Sequence, residues 1–370
     1  LVVSNLYPEY RYGDRLKIES IIKKPQKIDA EDGKIFDYPS YLAKDGIYYQ
    51  FIFPKISVVS SENGNFIKTK LFLLKEKFME NARAVVKEPE SSLLGGLVVG
   101  AKRSLGKKLL DDFKIAGVAH IVVLSGYNIT IVADSIMKSF SFLPRAVGFS
   151  FGAFGIILFA VMTGGAPTAI RAAIMALIVI LAKSTGRTSG MTRALIIAGF
   201  LMVLQNPKIL VFDSSFQLSF AATLGLIYFT PIAEKYLWFI PEKWGSFREI
   251  IFSTIATQLF VLPLILYKIG IFSVFALPVN LLILPLVPIT MFFGFLTGMA
   301  GFIWLPLSIP FAYISYFLLA YELLVIQFFA SLPFSSFFVS DFPFVLVVII
   351  YLLYLYIIRR FASSSLTKFV

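Results

Sequence analysis

Residues 115–137 read IAGVAHIVVLSGYNITIVADSIM, an apolar run long enough to cross a bilayer, which takes about 20 residues of helix. Inside it stand the chain's single histidine, His120, and then Ser125 and Asn128. Runs of spanning or near-spanning length recur at about 146–163, 168–183, 192–204, 216–232 and 250–267. After Gly270 a long apolar region reaches about Trp304, interrupted by Pro278, Pro285 and Pro288, and two more runs occupy about 307–332 and 344–358. The proline-broken stretch reads as one bent helix or a pair, so the pattern predicts eight to ten crossings.

Composition leads to the same class. Of 370 residues, 58% are hydrophobic and 15% charged, with mean hydropathy +0.81, well above the apolar share of a soluble domain. The absence of cysteine excludes a disulfide framework, a thiolate metal site and a cysteine nucleophile, and one histidine is too little imidazole for an ordinary zinc site. No metal or cofactor is expected. Leu1 stands where a methionine would start a chain and no signal-peptide pattern follows it, so the sequence reads as beginning internally.

Charge divides the chain. Residues 1–112 carry 19 Lys and Arg against 15 Asp and Glu, whereas 113–370 carry 15 against 7. The front part is an ordinary charged soluble segment. Arg15–Glu19 alternates polar and apolar residues, and Ile47–Phe53 is aromatic and β-branched, so both read as strands. Between them Asp37 can cap a short helix through Lys44, with Gly46 ending it. Residues 1–67 are therefore expected to form a small soluble β domain with one helix. Residues 68–112 read as a linker: a charged helix with Lys70, Lys75, Glu76, Lys77 and Glu80 on a solvated face, then an apolar stretch, Leu93–Ala101, too short to cross. That stretch is expected to lie along the interface or re-enter. Residues 113–370 are the transmembrane domain of an α-helical polytopic membrane protein.

Lys138 and Arg145 flank one connection, Lys183, Arg187 and Arg193 mark a second, and Lys235, Lys243 and Arg248 a third, while Gly164–Thr168 has no charge. Holding the basic loops in the cytoplasm makes these alternate and leaves the soluble domain on the opposite side. Lys208 and Lys268 then fall outside, against the trend. Arg359 and Arg360 require an odd number of crossings after Lys268 if the C-terminus is inside.

Polar side chains within apolar runs need partners or a water-lined surface. The candidates are His120, Ser125, Asn128, Arg171, Gln217, Gln258 and Asn280. A Ser125–His120 hydrolase dyad conflicts with helical geometry, since five residues leave the side chains about 140° apart, and no GxSxG elbow surrounds Ser125. Interhelical hydrogen bonding is the other role. Asn128 shares the Ser125 face, forming a polar stripe or packing glue. Arg171 follows a Gly-Gly-Ala-Pro break in the first turn of a helix, a natural place to meet phosphate, or else it snorkels to headgroups. Asp213 with Ser214 and Ser215 can cap a helix on which Phe216 and Phe220 share a face, as a base-stacking pair or as ordinary packing.

Taken in order, these segments resemble the ComEC family of competence proteins. Phe36-Asp-Tyr-Pro-Ser-Tyr-Leu-Ala-Lys-Asp-Gly-Ile47 resembles the signature of the family's extracytoplasmic OB-like domain. Leu93–Gly100, then Phe113-Lys-Ile-Ala-Gly117-Val-Ala-His120 with Leu124-Ser125-Gly126, resemble the start of its competence domain. Thr163-Gly164 with Arg171-Ala172 and Met175, Gly186-Arg187, Asn206-Pro207, Phe216-Gln217-Leu-Ser219-Phe220, Gln258 with Leu262-Pro263, and Pro278-Val-Asn280 with Pro285 resemble its later motifs. The family commonly has a second histidine after Ser-Gly, where this chain has Asn128. Many members also carry a metallo-β-lactamase-like nuclease domain and helices ahead of the OB-like domain, which this sequence lacks.

The resemblance implies an inner-membrane channel passing single-stranded DNA during natural transformation, without catalysis of its own. The bilayer, a DNA receptor outside, a cytoplasmic helicase-like motor and a separate nuclease are the implied partners. No G-x-x-x-x-G-K-[ST] phosphate loop is present to supply energy. His120, Ser125, Asn128, Arg171, Phe216, Gln217, Gln258 and Asn280 are the expected DNA path. The rivals are a small-molecule or lipid transporter using the same buried polar groups, and an intramembrane serine hydrolase.

Overall fold

Most apolar runs become helices, and the bends fall near proline. The computed structural model describes the chain apart from residues 6, 30–34, 102–104, 123–125, 140–143, 166, 185–190, 238–239, 242, 244, 340–341 and 367–370.

In residues 1–67, β1 (Val2–Val3) lies parallel to β5 (Phe51–Ile52), β2 (Arg15–Glu19) antiparallel to β6 (Lys55–Ser60), and β3 (Ile28–Asp29) antiparallel to β4 (Ile35–Phe36). The alternating pattern predicts β2 residue for residue, whereas the strand expected at 47–53 shortens to β5. The only helix described here is α1 (Tyr38–Ala43), which starts at Asp37, whose carboxylate accepts from the Ser40 backbone N–H and hydroxyl at 3.1 and 2.8 Å. Those bonds hold the Asp37 carboxyl below the usual carboxylate range. Gly46, just beyond, takes φ +73°, which a side chain would resist. Among the described residues of this segment only Leu42 and Lys44 are buried, so the ladders have no core to close around. They form separate pairs rather than a five-stranded barrel, and the OB-like architecture is not established.

Next, α2 (Phe66–Val85) is capped by the Asn65 side chain and exposes Lys70, Glu76, Lys77 and Glu80, while Phe78, Met79, Asn81 and Ala82 are buried. The short apolar stretch forms α3 (Glu90–Val99), ended by Gly100 in the left-handed conformation. Every residue from Ser91 to Val99 is buried, against α2 and the helices at 287–303 and 309–331. A helix apolar on all sides belongs in a core, and here it sits in the main one rather than along an interface.

The run at 115–137 is divided. It covers the end of α4 (Gly106–Ile115), then α5 (Ala119–Val122) and most of α6 (Gly126–Ser139); Ser125 lies outside the described residues. The next three runs give α7 (Arg145–Met162), α8 (Pro167–Ser184) and α9 (Met191–Gln205), of 18, 18 and 15 residues. The short α10 (Ile209–Phe212) leads to α11 (Ser214–Tyr228) and α12 (Thr230–Tyr236), bent by 44° beside Pro231, then to α13 (Ser246–Lys268). The proline-broken stretch is a bent pair, α14 (Ala276–Ile283) and α15 (Val287–Ile303), at 48°. Last come α16 (Ile309–Ser331) and α17 (Phe344–Leu366), with β7 (Ile271–Ser273) and β8 (Ser336–Phe338) paired antiparallel. Among the described residues three helices can cross a membrane by length and composition, or five if each bent pair is one span; α3 and segments within α7, α8 and α9 are apolar but shorter. The chain is a mostly helical, multi-pass membrane protein.

Contacts sort the connections onto two ends. The Lys268 ammonium reaches the Val211 carbonyl in α10, and β7 beyond it pairs with β8. Lys235 lies 5.1 Å from the Phe361 ring near the end of α17, and Tyr236 packs edge-on against the same ring. Between Lys268 and Phe361 the chain passes through the bent pair α14–α15, then α16, then α17.

Candidate functional site

The polar residues gather mainly around α10, at the Lys268 end. Asp213 is 4% exposed and caps α11 by accepting from the Phe216 N–H at 3.0 Å, so its carboxylate is fixed at the α10–α11 corner. Arg171, 3% exposed in the first turns of α8, donates to the Ser215 carbonyl at 2.9 Å and feels the attraction of Asp213. The guanidinium is thus turned into the corner rather than toward headgroups. Half-buried Gln217 donates to the carbonyls of Leu210 and Val211 at 2.6 and 3.1 Å, leaving its own carbonyl oxygen buried without a partner. Phe216, 5% exposed, stacks on Phe220 at 4.3 Å and packs with Met202 and Ile209, so it sits within a packed cluster.

The N-terminal segment closes over this corner. Asn206 donates its amide to the Lys44 carbonyl, and Lys208 donates to the Ala43 carbonyl at 3.2 Å and the Tyr48 hydroxyl at 3.1 Å. Burial works against charge on Lys44, but its hydrogen bond to Asp45 and the attraction of Asp213 outweigh it, and the ammonium is held above the usual lysine range. Four residues from three distant parts of the sequence, Lys44, Arg171, and Lys208 with Asp213, therefore share one charged junction. With Asn206 and Lys208 both changed to Ala, tryptic cleavage after Lys44 should accelerate about tenfold or more, since a lost charge-assisted bond of Lys208 is worth about 1.5–3 kcal/mol and the neutral Asn206 bond about 1 kcal/mol. Unchanged cleavage kinetics would mean that α1 is held elsewhere.

A second group lies where α3, α5, α6 and α14 meet. Asn128, 1% exposed, donates to the Leu97 carbonyl at 3.2 Å. Gly117 turns the chain between α4 and α5 at φ +75°, so close to α14 that a Cβ would stand 2.5 Å from Ala276 Cβ and 2.8 Å from Ser273 Oγ. Asn280, 1% exposed, donates to the Ala276 carbonyl at 2.8 Å and leaves Oδ1 buried without a partner. His120 is exposed on α5. Gln258 is half-buried on α13 and joins neither group. The two groups are joined by the short chain from Lys268 through β7 to Ala276. The Ser125–His120 geometry falls outside the described residues, and among those described no cluster of three or more His, Asp or Glu could hold a metal ion.

Among the buried polar side chains missing from the sequence-derived set is a carboxylate, Glu322, 1% exposed in α16. A lone carboxylate in the apolar segment Leu305–Ser331 is a legible signal of the same kind as Arg171. Lys44 had no such signal, because only the docking of α1 buries it.

Residues 97–363 match the protein family described as Competence protein. The chain is 25% identical over 282 residues to ComE operon protein 3 of Bacillus subtilis (strain 168), an alignment covering 75% of this chain and 34% of that protein. It thus spans about a third of that relative's length. No solved structure matches.

Proposed function

The chain belongs to the competence-protein family, and from that premise we propose that it forms the membrane path by which single-stranded DNA is taken up in natural transformation. A strand carries one phosphate charge per nucleotide and cannot cross hydrocarbon unaided, so its path must replace water for phosphates and offer surfaces to bases. The observation that carries the reading is the junction around α10, inside the matched segment. There, exposed Lys208 and Lys268 stand beside half-buried Gln217, over a corner built by Arg171 and Asp213. Cations at the rim would attract the strand, and the broken helices α14–α15 and α11–α12 free backbone groups that can line a passage.

In this reading the N-terminal segment faces away from the cytoplasm, meets the strand first through an OB-like surface, and receives it from a DNA receptor. The basic connection around Lys235 and Arg248 and the Arg359–Arg360 end then face the cytoplasm. Force comes from a helicase-like motor and strand degradation from a separate nuclease, with no catalytic step assigned to this chain.

The chain has no cysteine, so single substitutions can be probed without background. His120→Cys, Gln217→Cys and Gln258→Cys should react with membrane-impermeant maleimides, and modification of Gln217→Cys should block DNA uptake. Arg171→Cys and Asn280→Cys should react far more slowly, being buried. If the first three positions are all inert toward aqueous reagents, they do not border a hydrated path and the reading fails. If they react but uptake of DNA is unaffected while a lipid or small solute is moved, the transporter alternative replaces it.

A further inference from the structure

Glu322 stands in the seam between α15 and α16. Thr290 Oγ1 lies 2.7 Å from Glu322 Oε1 and 3.1 Å from the Leu286 carbonyl oxygen, at the bend between α14 and α15. A hydroxyl has one hydrogen, and a carbonyl can only accept. If Thr290 gives its hydrogen to Leu286, the short contact with Oε1 is a hydrogen bond only when the carboxyl group itself donates. If the carboxylate is ionised, Thr290 must turn its hydrogen to Oε1 and release Leu286. The protonated acid satisfies both contacts and the anion only one.

The surroundings point the same way. Oε2 is buried without a hydrogen-bond partner. Farther along the seam lie the buried hydroxyls of Thr297 and Ser315, 3.3 Å apart, and of Ser308, a polar column with no cation in it. The elements packed against α16 carry Lys68, Lys70, Lys75, Glu76, Lys77, Glu80 and Arg83 on α2, Glu90 on α3, and Lys107, Lys108, Asp111, Asp112 and Lys114 on α4; α14 and α15 have no titratable residue. Among the described residues none of these forms an ion pair with Glu322, whose carboxyl group meets Thr290. Leaving a buried carboxylate uncompensated is expensive, so the group needs a bound positive species. Hard metal cations gather about six oxygens, and among the described residues Glu322 has one hydrogen-bonding neighbour, the Thr290 hydroxyl.

We propose that Glu322 is an intramembrane proton-binding site, in which an exchangeable proton on the carboxyl group, shared with Thr290, sets the hydrogen bonding of the α14–α15 bend. Loss of the proton turns the Thr290 hydroxyl from Leu286 to Glu322, loosening the carbonyl at the bend; gain restores it. Leu323, the next residue on α16, lines an open cleft of about 580 Å³ with Glu90, Gln327 and Ser331, and this cleft is the route proposed for the proton. This inference goes beyond the DNA reading and stands or falls without it.

The test uses membranes carrying the full chain and dicyclohexylcarbodiimide, an apolar reagent for protonated carboxyl groups. The readout is the adduct on the Glu322 peptide by mass spectrometry. Labelling at Glu322 should be strong in acid and fall about tenfold or more as the medium is made alkaline, because an exchangeable proton follows bulk pH. Sodium or calcium at fixed pH should leave it unchanged, and Glu322→Gln should remove it. No adduct at Glu322, or labelling independent of pH, would overturn the proposal, and suppression by a metal cation at constant pH would replace the proton with that cation. Because the wild-type protein alone gives these readings, the test survives a misfolded variant.

Discussion

Arg171→Ala is expected to lower transformation frequency by about two to three orders of magnitude, since stranding one member of a buried charged pair costs about 3–5 kcal/mol and each 1.4 kcal/mol is a decade. Arg171 ties the start of α8 to the α10–α11 corner through the Ser215 carbonyl and balances Asp213, which is 4% exposed. Its loss leaves that carboxylate without its guanidinium inside the molecule and frees the corner on which Gln217, Lys208 and α1 depend. Falling uptake alone would not say whether Arg171 meets the strand or merely holds the corner. The double variant Arg171→Ala with Asp213→Asn separates them, because it removes the stranded charge together with the cation. If protein level returns and uptake does not, Arg171 serves the passage of DNA; if uptake returns too, it serves Asp213. Arg171→Ala protein present at normal level with unchanged uptake would strip the residue of any role.

The helical runs and their breaks could be read from the sequence because hydropathy and proline are local properties. The bend between α14 and α15 and the one beside Pro231 fall where the ring removes a backbone donor. Depth and company are not local. Leu93–Val99 has the composition of an interfacial stretch, and only the arrival of α15 and α16 from the far end of the chain makes it a core helix. A barrel is not evident in the N-terminal segment for a related reason: short strands alternate correctly, but among its described residues only Leu42 and Lys44 are buried. In the candidate site, Arg171 and Asn280 were visible as polar groups in apolar runs. Their nearest partners, backbone carbonyls of Ser215 and Ala276, carry no signal in residue type. Asp213 announced itself as a helix cap but not as the counter-charge of Arg171. Glu322 was visible by the rule that found the others, and its meaning comes from Thr290, which composition does not distinguish from any buried threonine.

The second large effect is expected on α15, which has two working faces. Thr290 and Thr297 turn to α16, while Gly294, Gly298 and Gly301 let α2 and α3 approach on another side. At Gly298 the approach is closest: a Cβ would stand 2.2 Å from Phe78 Cε2 and 2.4 Å from Cδ2. Neither side can yield easily, because Phe78 is 4% exposed and the Asn81 amide donates to the Gly298 carbonyl at 3.3 Å. Gly298→Val must push α2 away or break that bond, and overpacking of this kind costs about 1–3 kcal/mol or more, to which the lost hydrogen bond adds about 1 kcal/mol. The expected result is several-fold less inserted protein and a clearly lower detergent melting temperature. Gly46→Ala provides the contrast, having open space around it and only the strain of φ +73°, about 1 kcal/mol. In a Phe78→Ala background, itself less stable, Gly298→Ala should cost much less than it does in the wild-type protein, because the ring that collides is then absent. An undiminished cost would place the strain in the backbone contact between α2 and α15 rather than in Phe78. A fully stable Gly298→Val protein would mean that α2 does not rest on this face of α15 in the membrane.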